Sequence, residues 1–286
     1  MDSVHGFLLE DLDIRGVLVQ LGPSWAAMTS RRNYAAPVRE LLGELAAVTA
    51  LIGSNLKTPG RLSFQLQGHG AVSMLVMDCN EQLQLRGMAK SELTADAAAH
   101  VAGVGDLLGD GRLVLTLQPE TAEAPYQSVV PIVGGTLAAI FEHYLEQSEQ
   151  QPARLWLAAT ADTACGLFLQ KLPDADLRDA DGWNRIQQLA ATVHAEELAL
   201  PPDALLTRLF GEEKVRLFAP RQAIWHCPRD EEKVRNMLIS LGREEVEAML
   251  DDAEIIAIED EICGHEYRFG TEIVDELFPP DGRLLH

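Results

Sequence analysis

The sequence predicts an α+β protein with a mixed-sheet N-terminal domain, a helical linker and a small C-terminal domain. Strand-like runs cluster in the first part of the chain with few helices between them, which favours a mixed sheet over a regular βαβ repeat. An acidic, punctuated segment at 173–182 indicates a hinge, and amphipathic helical patterns follow it. The remaining C-terminal segment is so short that it forms only a marginal core without a covalent or metal staple.

Hydrophobic periodicity places the N-terminal elements one after another. Residues 14–21 predict a strand that contains Gly16 and ends at Gly22. Pro37 begins a helix with apolar residues at helical spacing. A second helix is predicted at 136–149. Further strands are predicted at 61–67, 71–77, 82–86, 112–118, 126–132, 154–159 and 166–171.

The change of pattern along the chain gives three predicted segments. They are an N-terminal α+β core at 1–172, an acidic hinge with an amphipathic helical linker at 173–220, and a C-terminal domain at 221–286. Two short helices broken at Gly242, a strand near 255–258 and a terminal helix are expected in the last segment. Two apolar stripes in the linker need a covering surface, and their main members are Trp183, Ile186, Leu189, Val193, Leu206, Leu209 and Phe210.

Composition limits the classes of partner and compartment. The 286 residues are 47% apolar and 23% charged, as expected of a globular protein, and the net charge is −21. Such acidity argues against nucleic-acid and anionic-membrane partners, which are held by Lys and Arg. The N-terminus lacks a signal-peptide pattern, and no apolar run approaches a spanning length. With four cysteines in this context, we expect a reducing, cytoplasmic location.

Short stretches along nearly the whole chain are similar to the bacterial 33-kilodalton heat-shock chaperonin family. Their shared order and spacing carry the resemblance, since no single stretch is specific. The stretches are Arg15-Gly16, the helix from Pro37, 65–68, Arg86-Gly87, 126–130, 148–154, 166–170, 231–234 with Leu241-Gly242, and Cys263-Gly264 with Tyr267 and Phe269.

The resemblance implies an ATP-independent holdase chaperone that binds unfolding or oxidatively damaged proteins and prevents their aggregation. In the family, four thiolates in two knuckles hold zinc. Oxidation forms a disulfide within each knuckle, releases the metal and disorders the zinc domain and linker. The apolar linker residues given above are then candidate client-binding residues. The resemblance also allows a homodimer in the active form and implies a non-enzymatic role without ATP.

This chain departs from the family pattern at the metal site. Cys227 and Cys263 match the outer cysteines of the two knuckles, whereas Arg229 and Asp260 occupy the former zinc-ligand positions of the inner cysteines. A disulfide within either knuckle is therefore excluded. Whether zinc is a cofactor stays open at this point. The absence of two of the four expected cysteines argues against a full four-thiolate site.

Three interpretations of Cys227 and Cys263 stay open. In the first interpretation, the two cysteines bind zinc together with His226 or His265, although no histidine has the usual ligand spacing. Alternatively, the two thiols face each other and form a disulfide, or both are inert buried residues. Arg229 and Asp260 either form a salt bridge or lie separately at the surface.

The alternatives for function follow from the altered knuckles. One is a constitutive or heat-activated holdase whose zinc and disulfide switch has been lost. An enzyme on a similar scaffold would require a pocket with converging polar groups and perturbed pKa values. A zinc-knuckle nucleic-acid binder is opposed by the acidity of the chain.

Overall fold

The computed structural model describes residues 2–279 except 57–58, 94–97, 99–100, 102, 122–123 and 133–134, and it omits the side chain of Glu149. By its contacts the chain divides into two compact units, Met1–His226 and Cys227–His286. Each unit has its own buried apolar cluster and is described by itself.

The strands of the first unit form two sheets. In chain order they are β1 (Ser3–Leu9), β2 (Ile14–Leu21), β3 (Gly60–Gly68), β4 (Val72–Asn80), β5 (Gln84–Ser91), β6 (Gly111–Pro119), β7 (Tyr126–Pro131), β8 (Ala153–Ala159), β9 (Ala164–Lys171), β10 (Val215–Leu217), β11 (Arg221–Gln222) and β12 (Ile224–Trp225). Sheet A has the order β10-β1-β2-β9-β8, with β11 also paired to β1, and sheet B has the order β12-β5-β4-β3-β6-β7. The pairing of β12 with β5 is parallel and the others are antiparallel, so sheet B is mixed.

Helices connect and cover these sheets. In chain order they are α1 (Pro23–Thr29), α2 (Ala36–Gly53), α3 (Val104–Leu108), α4 (Leu137–Glu149), α5 (Ala175–Arg178), α6 (Gly182–Ala190), a 3₁₀ turn (Ala195–Ala199) and α7 (Pro202–Phe210). None of the helices in the described part of the chain combines the length and hydrophobicity needed to cross a membrane.

The main core of the first unit surrounds α2. This helix contacts β2, β8 and β9 of sheet A and also β3, β4 and β5 of sheet B. Its residues Leu42, Leu45 and Val48 are fully buried, because apolar side chains recur along it with almost no polar face. The two sheets and α2 therefore enclose one cluster, in which Phe64 and Phe141 pack edge to face.

The second unit is a small arrangement of helices and one hairpin. Its elements are α8 (Glu231–Leu241), α9 (Arg243–Asp252), β13 (Ile256–Asp260), β14 (His265–Phe269) and α10 (Glu272–Leu277). Asp230 caps α8 by accepting a hydrogen bond from Lys233 N (3.0 Å), and Gly242 separates the two helices with a φ of 93°. Leu238, Val246 and Tyr267 lie in its core.

The predicted α+β class is confirmed, and the predicted helices and strands are present with ends shifted by a few residues. The three-segment division stays a prediction, since it concerns roles as well as contacts. By contacts alone the second unit begins at Cys227 and not at 221, because β11 and β12 pair with β1 and β5. The predicted hinge also contains the short helix α5.

Candidate functional site

One face of sheet A is covered by the segment that the sequence assigns to the linker. Side chains on this face come from β1, β2 and β9, and α6, the 3₁₀ turn and α7 lie over them. Together they form a second buried cluster, separate from the one around α2. The sheet contributes Phe7, Leu9, Ile14, Leu18, Cys165, Leu167 and Leu169. We call this contact, formed by one face of sheet A and the linker segment that covers it, the linker face.

Six of the seven predicted linker residues are partly or fully buried in this cluster. Ile186, Leu206, Leu209 and Phe210 are buried, and Trp183 and Val193 are half-buried. Leu189 is different, because its side chain is 37% exposed. Leu205 of the same helical stripe also lies in this cluster, and so does Leu198, which the sequence pattern did not single out. Whether these side chains bind clients stays a prediction.

A glycine shapes the centre of the linker face. Gly16 of β2 lies opposite Phe7 of β1, and a Cβ at this position would collide with the Phe7 ring. The missing side chain lets Phe7 lie across the strand, where its ring packs against Phe210 of α7 with centroids 6.2 Å apart. The glycine in the predicted strand thus makes room for an aromatic contact between sheet and linker.

Polar contacts also hold the linker on the sheet. Gln20 on β2 is 4% exposed and points to the linker face, since successive strand residues alternate between faces. Its Nε2 donates hydrogen bonds to the carbonyl oxygens of Leu198 (2.8 Å) and Leu200 (2.6 Å). Gln20 Oε1 is buried without a hydrogen-bond partner in the described part of the chain. The two hydrogen bonds from Gln20 therefore fix the position of the linker segment on sheet A.

Ion pairs tie the two ends of the linker together. The guanidinium of Arg185 contacts Asp179 (3.0 Å) before α6 and Glu213 (3.0 Å) after α7. The backbone N–H of Asp181 and the Arg185 guanidinium hold the pKa of Asp179 below its usual range. Because these groups are partly solvated, their contribution to stability is small.

In the second unit, Cys227 and Cys263 lie together. Their sulfur atoms are at disulfide distance, and their Cα atoms are 5.8 Å apart, inside the range of native disulfides. Cys263 is 8% exposed and lies in the turn between β13 and β14. Of the three interpretations, the geometry therefore fits a disulfide.

The neighbouring charged residues have separate partners. Asp260 Oδ1 accepts hydrogen bonds from the backbone N–H groups of Ile262 (2.9 Å) and Cys263 (3.2 Å), so this carboxylate stabilises the turn. The Arg229 guanidinium lies 4.9 Å from the centre of the Tyr267 ring and donates a hydrogen bond to the carbonyl oxygen of Glu266. These contacts place the two charges in different roles and give no Arg229–Asp260 salt bridge.

The same residues do not fit a four-ligand zinc site as they are arranged. The two sulfur atoms face each other, and His265 Nε2 donates a hydrogen bond to the carbonyl oxygen of Cys227 (2.7 Å). His226 is the last residue of the first unit, and its role as a zinc ligand stays a prediction. Within the described ranges, no group of three or more His, Cys, Asp or Glu side chains is arranged to hold a metal ion. Zinc binding stays a prediction to be tested by elemental analysis.

The other two cysteines have the properties of unreactive thiols. Cys79 and Cys165 are buried in the first unit. Burial raises the pKa of the Cys79 thiol to about 12 and that of Cys165 to about 11. Both are protonated at neutral pH and react slowly with oxidants, because the thiolate is the reactive form.

The cavities give limited support to an enzymatic role. One cavity of about 610 Å³ is an open groove where His69 Nδ1 bonds to the carbonyl oxygen of Asp110 (2.8 Å). A different cavity of about 310 Å³ is lined by Glu40 and Glu44. Burial, with the charge of Glu40, raises the pKa of Glu44 to about 7. Apart from Thr136, the other described residues that line it are apolar or glycine, and none of them is a histidine, cysteine or serine.

The fold is shared with a molecular chaperone of known structure. The chain aligns with the crystal structure of the 33 kDa chaperonin, a heat shock protein 33 homolog, from Thermotoga maritima. The TM-score is 0.82 at 21% sequence identity, and the alignment covers 96% of this chain and 97% of that one. This chain therefore shares the fold of that structure.

Sequence comparisons define the family. The family model described as Hsp33 protein matches residues 2–270. The 33 kDa chaperonin of Methylobacillus flagellatus is 39% identical over 280 residues, covering 97% of this chain and 94% of the relative. That of Vibrio cholerae is 38% identical over 295 residues, covering 100% and 99%. The chain belongs to the Hsp33 family, which supports a chaperone function and the binding of client proteins and agrees with a non-enzymatic role.

Proposed function

We propose that the protein is an ATP-independent holdase that binds unfolding or oxidatively damaged proteins and prevents their aggregation. The observation that supports this most directly is the linker face, where apolar side chains of α6 and α7 are covered by sheet A and can be uncovered together. A holdase needs such a surface in reserve, because a large exposed apolar patch causes self-association.

Release of the linker would expose two complementary apolar surfaces. The first is the stripe on α6 and α7, and the second is the face of sheet A that it covers. Both are built from neighbouring apolar side chains of one cluster, so they suit the mixed apolar segments of an unfolding client. The high net negative charge of −21 keeps such an opened form soluble.

Warming is the proposed trigger for release. The linker is held by apolar contacts, by the two Gln20 hydrogen bonds and by partly exposed ion pairs, and none of these is covalent. Local segments of this kind open below the global unfolding temperature. This favours the heat-activated alternative over one in which within-knuckle disulfides control release.

We further propose that the protein works in the cytoplasm and that the open form can dimerise.

Light scattering of a thermally unfolding client tests the holdase function. An equimolar amount of this protein without ATP is expected to suppress scattering at temperatures where the linker opens. Absence of suppression with both reduced and oxidised protein would refute the proposal. Elution with the mass of a monomer at all temperatures in size-exclusion chromatography would refute the dimer alone.

A matched pair of variants tests the surface itself. Leu189→Ser removes an apolar side chain that is 37% exposed on the α6 stripe, so it changes client contact with little effect on docking. Leu177→Ser makes the same change at a side chain that is 85% exposed in the hinge. We expect weaker suppression with Leu189→Ser and unchanged suppression with Leu177→Ser. Equal activity of the two variants would contradict a client site on this stripe.

A further inference from the structure

Five contacts join the segment that begins at Cys227 to β14 and the turn before it. The Cys227 sulfur pairs with Cys263, and the Cys227 carbonyl oxygen accepts from His265. Arg229 binds the carbonyl oxygen of Glu266 and stacks on Tyr267. The backbone N–H of Asp230 donates to the Tyr267 hydroxyl (2.8 Å). The segment is thus fastened at successive positions along one strand.

The residues at the former ligand positions strengthen this fastening. Arg229 is a permanent cation that cannot coordinate a metal ion, and it bridges the segment to β14. Asp260 Oδ1 is occupied by two backbone N–H groups that shape the turn carrying Cys263. Gly264 completes that turn with a φ of 66°, which favours glycine. Each replacement therefore has a structural role that does not depend on metal.

We infer that a Cys227–Cys263 disulfide, supported by Arg229, Tyr267 and His265, closes the C-terminal unit of this chain without metal. Oxidation then stabilises the unit and reduction loosens it. This direction is opposite to that of a unit held by zinc thiolates, where oxidation releases the metal and removes the staple. The inference concerns the stability of this unit and holds whether or not the linker face binds clients.

The chemistry needs one oxidant and no metal. Formation of the S–S bond removes two electrons and two protons from the Cys227 and Cys263 thiols. Hydrogen peroxide is a sufficient oxidant, since it takes up these electrons and protons and leaves two molecules of water. A dithiol reductant reverses the step by exchange and is itself oxidised to a disulfide.

Hydrogen exchange of the full-length protein tests the inference. Peptides spanning 231–278 are followed in oxidised and reduced protein, each with added zinc or with a chelator. Reduction should raise exchange through unit opening by about 30-fold to several hundredfold, as expected when a bond closing a loop of 36 residues is lost. Zinc and chelator should have no effect in either redox state. A zinc content near one per chain that protects the reduced unit would overturn the inference.

Variants separate the covalent part from the polar part. Cys227→Ser with Cys263→Ser should exchange like reduced protein and lose the response to reductant, although Cys79 and Cys165 remain. A response that persists in this double variant would contradict the assignment to this pair.

The polar part is tested by a pair of arginines. Arg229→Ala should raise exchange in both redox states, because the contacts with Glu266 and Tyr267 are lost. Arg268→Ala is the matched control, since this exposed side chain pairs only locally with the Glu266 carboxylate (2.8 Å). Equal exchange of the two variants would show that Arg229 does not support the closure.

Discussion

The linker face and the C-terminal unit are closed by different means. At the linker face, two layers of apolar side chains cover each other, and the described contacts across them are non-covalent. In the C-terminal unit a smaller apolar cluster is combined with a sulfur pair and an arginine stack. Opening the first would expose the larger of these two apolar clusters, and opening the second would expose the smaller one. The first is the surface that we propose for client capture, and the second is the unit that we propose to respond to oxidation.

The largest expected effect comes from an aromatic side chain at the linker face. Phe210→Ala removes a ring that is 1% exposed and packs on Phe7, which should cost about 3–5 kcal/mol of docking energy. We expect faster hydrogen exchange in 183–210 and client protection at a lower temperature. Phe64→Ala is the control, because this ring is equally buried in the other cluster. If both variants opened 183–210 alike, the linker face would not be a separate cooperative region.

A buried carboxyl sharpens the comparison by pH. The pKa of Glu44 is raised to about 7 in the folded protein, so its carboxyl group binds a proton more tightly there than in the unfolded chain. Its contribution to stability is full below about pH 4.5 and is lost as the pH rises to about 7. Glu44→Gln should therefore stabilise the first unit by up to about 3 kcal/mol at pH 8 and hardly at pH 4.5.

Calorimetry at the two pH values measures this difference. Glu40→Gln serves as the control, because it removes only the repulsion from Glu40, the smaller of the two causes of the shift. Stabilisation by Glu44→Gln that is equal at both pH values would contradict the pKa. The C-terminal unit should melt independently of either change.

A smaller effect is expected from the polar contact under the linker. Gln20→Ala removes two hydrogen bonds and leaves the carbonyl groups of Leu198 and Leu200 unpaired, at a cost of about 1–3 kcal/mol. Exchange should increase first in 195–200. Thr49→Ala removes one buried hydrogen bond within α2 and is the control. Similar exchange of 195–200 in both variants would show that Gln20 does not hold the linker.

Local patterns explain what the sequence could predict. The helix from Pro37 and the strand with Gly16 follow from periodicity within one segment, and both are present as α2 and β2. β10, β11 and β12 were not predicted, since two or three residues carry no period. They form only by pairing with distant strands, as Leu217 does with Phe7. The covering of the linker stripe was expected, but its covering surface could not be read from spacing.

The C-terminal site shows the same limit. The family resemblance placed Arg229 and Asp260 at the former ligand positions, but the sequence could not assign their partners. The turn role of Asp260 had a local signal, because Asp before a Cys-Gly turn often accepts backbone N–H groups. The stacking of Arg229 on Tyr267 had none, since it joins residues that are 38 positions apart in the chain. Nor could spacing show that His265 forms a hydrogen bond with the carbonyl oxygen of Cys227.

Client capture through the linker face is tested most directly by two readouts from one sample. Aggregation of a thermally unfolding client and hydrogen exchange in 183–210 are followed together as the temperature rises, without ATP. We predict that suppression of aggregation rises in step with exchange in 183–210 and ahead of exchange in α2. Full suppression while these amides stay protected, or full exchange without suppression, would contradict the proposed surface.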